Sequence, residues 1–116
     1  MRGMASLEAA LISGSGHLLS FTGSDTIPAI DFLETYYNAD SDQELVGGSV
    51  AATEHSVMCM GTLSGEQETF SRLVTEVYPS GIVSVVSDTW DLWRVCTEFL
   101  PNLKEEVLAR EGKVVI

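Results

Sequence analysis

Between Phe70 and Phe99 the chain passes from a helix pattern to a strand pattern and back, and that alternation limits the folds open to it. Phe70, Leu73, Val74 and Val77 recur at i, i+3, i+4 and i+7, one apolar stripe of an amphipathic helix. Pro79-Ser80-Gly81 stops it. Ile82-Val83-Ser84-Val85-Val86 follows, a β-branched run between turn signals that predicts a strand buried on both faces. Ser87-Asp88 then opens a helix with Leu92, Val95, Cys96 and Phe99 along one side, ended by Pro101-Asn102. A short helix from about Leu103 to Arg110 leads through Gly112 into a last apolar strand, Lys113 to Ile116.

The first half repeats this logic. Ser6 to Ile12 predicts a helix, Gly14 to Gly16 a break, and His17-Leu18-Leu19-Ser20-Phe21 a strand. Gly23-Ser24-Asp25 turns into a helix containing Ile27, Ile30, Leu33 and Tyr37. Pro28 falls in its first turn, where a missing N–H costs little. Asn38 to Gln43 reads as a polar loop, Leu45 to Ala52 as extended chain, and Glu54 to Met60 as helix. Strands alternating with helices indicate parallel βα units. The expected class is α/β, with three to four parallel strands, either half of an eight-stranded barrel or one side of an open sheet. In both, functional groups gather where strands end and helices begin. Those junctions are Ser20 to Asp25, Ser49 to His55 and Ser84 to Asp88.

Charge narrows the partners. Seventeen acidic residues against six basic ones give a formal net charge of −11. A nucleic-acid surface needs a basic face to displace counterions, and anionic membranes attract basic segments, so neither partner is expected. Arg2, Arg72, Arg94, Lys104, Arg110 and Lys113 are the cations available to a phosphorylated ligand. Cys59 and Cys96 are too few for a disulfide framework and sit in apolar helical patterns, which predicts two buried thiols. Ala9 to Phe21 is interrupted by Ser13-Gly14-Ser15-Gly16-His17, so it makes a poor signal peptide and a cytoplasmic location is expected. The apolar strand at Lys113 to Ile116 stops unfinished, and residues 1–116 read as a piece of a longer chain truncated at both ends.

Few residues offer chemistry. His55 follows Thr53-Glu54 at a predicted helix start, where free N–H groups favour a neutral imidazole and attract anions. A neutral histidine there serves as a base or as a nucleophile toward phosphorus; the plainer reading is a histidine without a role. Asp25 and Asp88 each make a good helix N-cap, which needs no ligand. Ser84 in an apolar strand can simply bond to backbone, and His17 suits a satisfied core position. Cys59 stands four residues from His55, but its neighbours Val57, Met58 and Met60 favour packing. Two histidines without zinc-ligand spacing argue against a structural zinc site. Ser13-Gly14-Ser15-Gly16 lacks the spacing of a phosphate-binding loop.

Several segments together resemble the nicotinamide phosphoribosyltransferase family. Arg2-Gly3 and then His17-Leu18-Leu19-Ser20-Phe21-Thr22-Gly23-Ser24-Asp25-Thr26 are similar to its "RG" and "HLVNF-G-T-D-T". Ser49-Val50-Ala51-Ala52-Thr53-Glu54-His55-Ser56 resembles "SVPAAEHS", and Ser84-Val85-Val86-Ser87-Asp88 resembles "SVVSD". Order and spacing fit across essentially the whole chain. The resemblance implies transfer of a phosphoribosyl group from phosphoribosyl pyrophosphate to nicotinamide, giving nicotinamide mononucleotide and pyrophosphate in NAD salvage. It implies Mg2+, ATP as an optional coupling substrate, a homodimer, and an irregular (β/α) barrel of which this chain holds a part, beside a smaller domain.

The same resemblance assigns roles. His55 matches the histidine phosphorylated during ATP hydrolysis, and Asp88 the carboxylate that orients it. Arg2 matches an arginine on the phosphoribosyl part, Asp25 the acceptor for the nicotinamide amide, and Ser84 a serine near the ring. A carboxylate at Asp25 suits an amide NH₂ and repels a nicotinate carboxylate. Ala51 and Thr53 depart from the pattern's proline and alanine. The chain ends before the family's "RPDSG", which supplies an arginine and an aspartate, so these residues alone are expected to be inactive. The alternatives are a nicotinate-using enzyme, and a catalytically silent chain that serves only in binding or dimerisation.

Overall fold

The computed structural model describes residues 1–116 as two compact units, Met1–Ser49 and Val50–Ile116. In the first, α1 (Leu7–Leu18) packs on α2 (Pro28–Tyr37). Ser6 caps α1, its Oγ accepting the Ala9 N–H at 3.1 Å. The helix does not stop at Gly14 to Gly16. A Cβ on Gly14 would stand 3.0 Å from that of Ala29 and 3.2 Å from Thr26 Cγ2. Glycine here lets the two helices approach closely, and that packing outweighs its helix penalty of about 1 kcal/mol.

The strand expected at His17 to Phe21 is therefore absent. α1 consumes its first residues, and the His17 carbonyl accepts the N–H groups of both Ser20 and Phe21 at 3.1 Å, turning the chain. His17 is satisfied locally: Nε2 lies 2.9 Å from Gly23 O and the ring stacks on Phe21. α2 begins as expected with Pro28 in its first turn, and it ends on Asn38 in the left-handed region at φ 57°. Extended structure in this unit is one parallel bridge between Gly23 and Gly48.

The second unit is α/β. Three parallel strands, β1 (Ala51–Ala52), β2 (Gly81–Ser84) and β3 (Gly112–Val115), form an open sheet in that order. β1 leads into α3 (His55–Met60) and then α4 (Glu66–Arg72), which widens into a π-helical turn at Leu73–Val77. After β2 come α5 (Leu92–Arg94), a π-helical turn at Val95–Phe99, α6 (Leu100–Asn102) and α7 (Lys104–Ala109). The helical run from Leu92 ends at Pro101-Asn102 as expected: Asn102 is its last residue and the break comes at Leu103 with φ −100° and ψ 13°. The second helix opens at Leu92, not at Ser87-Asp88, because Asp91 is the residue whose carboxylate caps the Arg94 N–H at 3.1 Å.

Met58, Phe70, Leu73, Val83, Val85, Val95, Phe99 and Leu103 form the core of this unit. The Phe70 and Phe99 rings lie 6.1 Å apart, tilted, and truncating either to alanine would cost about 3–5 kcal/mol. Both cysteines are exposed, against expectation: Met58 occupies the buried side of α3, and Cys96 faces outward from the π-helical turn. Glu66 is 1% exposed and its Oε1 has no hydrogen-bond partner. Desolvation raises its pKa; Arg94 opposes the rise and Asp91 adds to it. No helix is long and apolar enough to cross a membrane.

Candidate active site

Parallel strands bring their carboxyl ends to one edge of the sheet, and loops leaving that edge carry the polar residues. Register fixes this edge: Ala51 pairs with Val83, Ala52 with Ser84, and Ser84 in turn with Val115. Two rungs extend it, Thr53 N–H to Ser84 O and Val85 N–H to Val115 O, each 2.9 Å. A cleft opens there, lined by His55, Ser84, Ser87 and Asp88 with Val85, Val86, Leu92, Cys96 and Ile116.

His55 is the first residue of α3 and Asp88 lies in the loop after β2. His55 Nε2 and Asp88 Oδ1 are 3.0 Å apart, with side chains 63% and 69% exposed. Asp88 is thus not a helix cap. Its carboxylate is placed to accept a hydrogen bond from the imidazole when Nε2 carries a proton. The loop between is anchored by Ser87, whose buried hydroxyl donates to Val85 O at 2.7 Å. Ser84 faces the same cleft. So exposed a pair adds little to stability.

Arg2 and Asp25 belong to the first unit. Asp25 does not cap α2, whose N-cap is Ile27; instead its Oδ1 accepts the Ser49 hydroxyl at 2.6 Å. The Met1 amino group donates to Thr26 Oγ1, which lays the segment bearing the exposed Arg2 beside the Asp25 turn. Each unit therefore presents part of the predicted set: His55, Ser84 and Asp88 together in one, Asp25 and Arg2 near one another in the other.

Sequence reasoning gave no role to Ser49, Ser87 or Cys96. Ser87 was within reach of pattern alone, since a small hydroxyl directly after an apolar strand commonly turns back onto backbone. Ser49 carries no such signal. No lysine or arginine lines the cleft, so His55 is its one cationic candidate. No group of three or more His, Cys, Asp or Glu side chains is placed to hold a metal ion.

A parallel α/β sheet with a histidine–carboxylate pair at its carboxyl edge defines the class to which this segment belongs. Known proteins define it further. The profile of the nicotinate phosphoribosyltransferase (NAPRTase) family matches residues 1–114. A nicotinamide phosphoribosyltransferase of Acinetobacter baylyi is 58% identical over 109 residues, covering 94% of this chain and 21% of the relative. Another, from Mycoplasma pneumoniae, is 40% identical across 100% of this chain and 22% of its own length. One from Xanthomonas campestris is 33% identical over 99% of this chain and 24% of its own. The chain belongs to the nicotinate phosphoribosyltransferase family, and it spans about a fifth of the length of these relatives.

Proposed function

We propose that these residues are a segment of a barrel-containing enzyme that moves a phosphoribosyl group from phosphoribosyl pyrophosphate to nicotinamide in NAD salvage. The observation that carries this is the His55–Asp88 pair at the carboxyl edge of a parallel sheet, in a chain whose strongly matching relatives bear the name nicotinamide phosphoribosyltransferase. His55 is the phosphorylated residue. Nδ1 attacks the γ-phosphorus of ATP, the bond to the bridging oxygen breaks, and ADP leaves with the electron pair. Asp88 keeps the proton on Nε2 and stabilises the cationic ring, so that positioning and charge neutralisation do most of the work. Transfer to water later returns His55 to its starting state.

Asp25 accepts a hydrogen bond from the nicotinamide NH₂ and disfavours nicotinate by like-charge repulsion in a site of low dielectric. Ser84 borders the ring and Arg2 contacts the phosphoribosyl part. The lack of lysine and arginine around the cleft is consistent with further cations arriving from parts of a longer protein. Magnesium, a hard cation that keeps phosphate oxygens as ligands, enters on phosphoribosyl pyrophosphate. The working enzyme is a homodimer in the cytoplasm, which rests on the family resemblance.

The test uses the full-length protein that contains these residues, with phosphoribosyl pyrophosphate, magnesium and either base. Nicotinamide mononucleotide from nicotinamide, with ATP coupling lost in His55→Ala, is the expected result. Product only from nicotinate would keep the family and overturn the role of Asp25. No product from either base would leave the chain catalytically silent.

A further inference from the structure

We infer that Thr53 is a positioning residue that sets the approach of His55 to Asp88. It makes both cross-strand bonds at the point where the first two strands leave the sheet. Its N–H donates to Ser84 O at 2.9 Å, a regular rung. The next rung of a parallel ladder would run from the Val86 N–H to the Thr53 carbonyl. Here the Val86 N–H goes instead to Thr53 Oγ1, at 3.0 Å. The hydroxyl replaces the residue's own carbonyl, so the main chain can turn into α3 one residue early without leaving the half-buried Val86 N–H unpaired.

The spacing beyond this clamp is symmetrical. His55 lies two residues past Thr53, and Asp88 lies two residues past Val86. Both pairs are 33 residues apart in the chain, and both close at 3.0 Å. Ser87, between Val86 and Asp88, is tied back to Val85 O, so the short arm from clamp to carboxylate has little slack. His55 and Asp88 are largely exposed, and no burial holds them together. The family pattern given above has alanine at this position, which offers no hydroxyl for this rung.

The assignment of a catalytic effect rests on the function proposed above; the geometric effect does not. The experiment compares full-length Thr53→Val, Thr53→Ala and Thr53→Ser with the unsubstituted protein. Two readouts are taken: the Nε2–H signal of His55 by NMR of labelled histidine, which reports its hydrogen bond to Asp88, and ATP-coupled kcat and KM. Losing the hydroxyl in Val or Ala loosens the carboxylate from the ring, so that signal broadens or moves. kcat falls about tenfold, the scale of a sub-ångström misplacement, while KM for nicotinamide stays within about twofold. Serine keeps the acceptor and restores both readouts. A changed His55 signal in a protein without transferase activity would sink the proposed function and keep the clamp. An unchanged signal and kcat in folded Val and Ala variants would overturn the clamp. So would serine behaving like alanine, or both Val and Ala unfolding while serine folds, which would make the hydroxyl purely structural.

Discussion

At Asp88 the chain places a carboxylate where a cap was equally plausible, and the difference is decided by three residues of loop. Asp91 takes the cap, and Asp88 is released to His55. Asp88→Asn keeps the shape and loses the charge. It lowers the ATP-coupled rate by about 10²-fold, the lower end of what a general acid–base group contributes, and changes the melting temperature little because the pair is exposed. Enzyme kinetics beside a thermal melt check both halves. Glu66 is the opposite case, buried and short of a partner. Its folded-state pKa is raised chiefly by desolvation, so the native state binds the proton more tightly than the unfolded chain does. Stability is then fully present below the unfolded pKa and declines as pH rises through the folded one. Glu66→Gln should melt higher than the parent near neutral pH and converge with it in acid. Equal melting at both would show that Glu66 finds a partner in the working protein. That His55 and Asp88 lie at strand ends was legible in strand-end logic; the competition between Asp88 and Asp91 for the cap was not, since both are good caps by residue type.

Among the elements, glycine has opposite meanings at two places, and substitution separates them. Gly112 opens β3 at φ +126°, and a Cβ there would fall 2.0 Å from Gly81 O. Gly112→Ala should destabilise the sheet by more than about 3 kcal/mol, through strain and clash together. Gly16, exposed in α1 with open space around it, should gain about 0.5–1 kcal/mol as alanine. Denaturant melts of the two variants check the signs. α2, α4 and β2 were readable because their apolar spacing is regular and their ends carry proline, glycine or asparagine. α1 was misread through Gly14 to Gly16, because its helix is sustained by contact with Ala29 and Thr26, a partner beyond any local window. The turn at His17 to Phe21 went the same way. Cys96 was placed inside by period, and the π-helical turn at Val95–Phe99 changes that period.

For the whole molecule, the surface is more informative than the core. Leu7, Leu19, Phe21, Tyr36, Tyr37, Met60, Trp93 and Leu108 are exposed, far more large apolar surface than a chain of this size usually shows water. Residues 1–116 produced alone should bind an apolar dye, melt without a sharp transition and turn over no substrate. A cooperative melt with ordinary turnover would refute this. The parallel order of the strands was legible from the alternation of patterns; how much apolar face is left uncovered was not, because the sequence does not show which stripes find a partner. Exposure at His55 has a consequence of its own. On the function proposed above, a phosphoryl group on His55, whose side chain is 63% exposed, would also be open to hydrolysis. Each such loss spends an ATP without making product. The ratio of ATP consumed to mononucleotide formed therefore gauges how well the bound substrates, or the rest of the enzyme, keep water from that one ring.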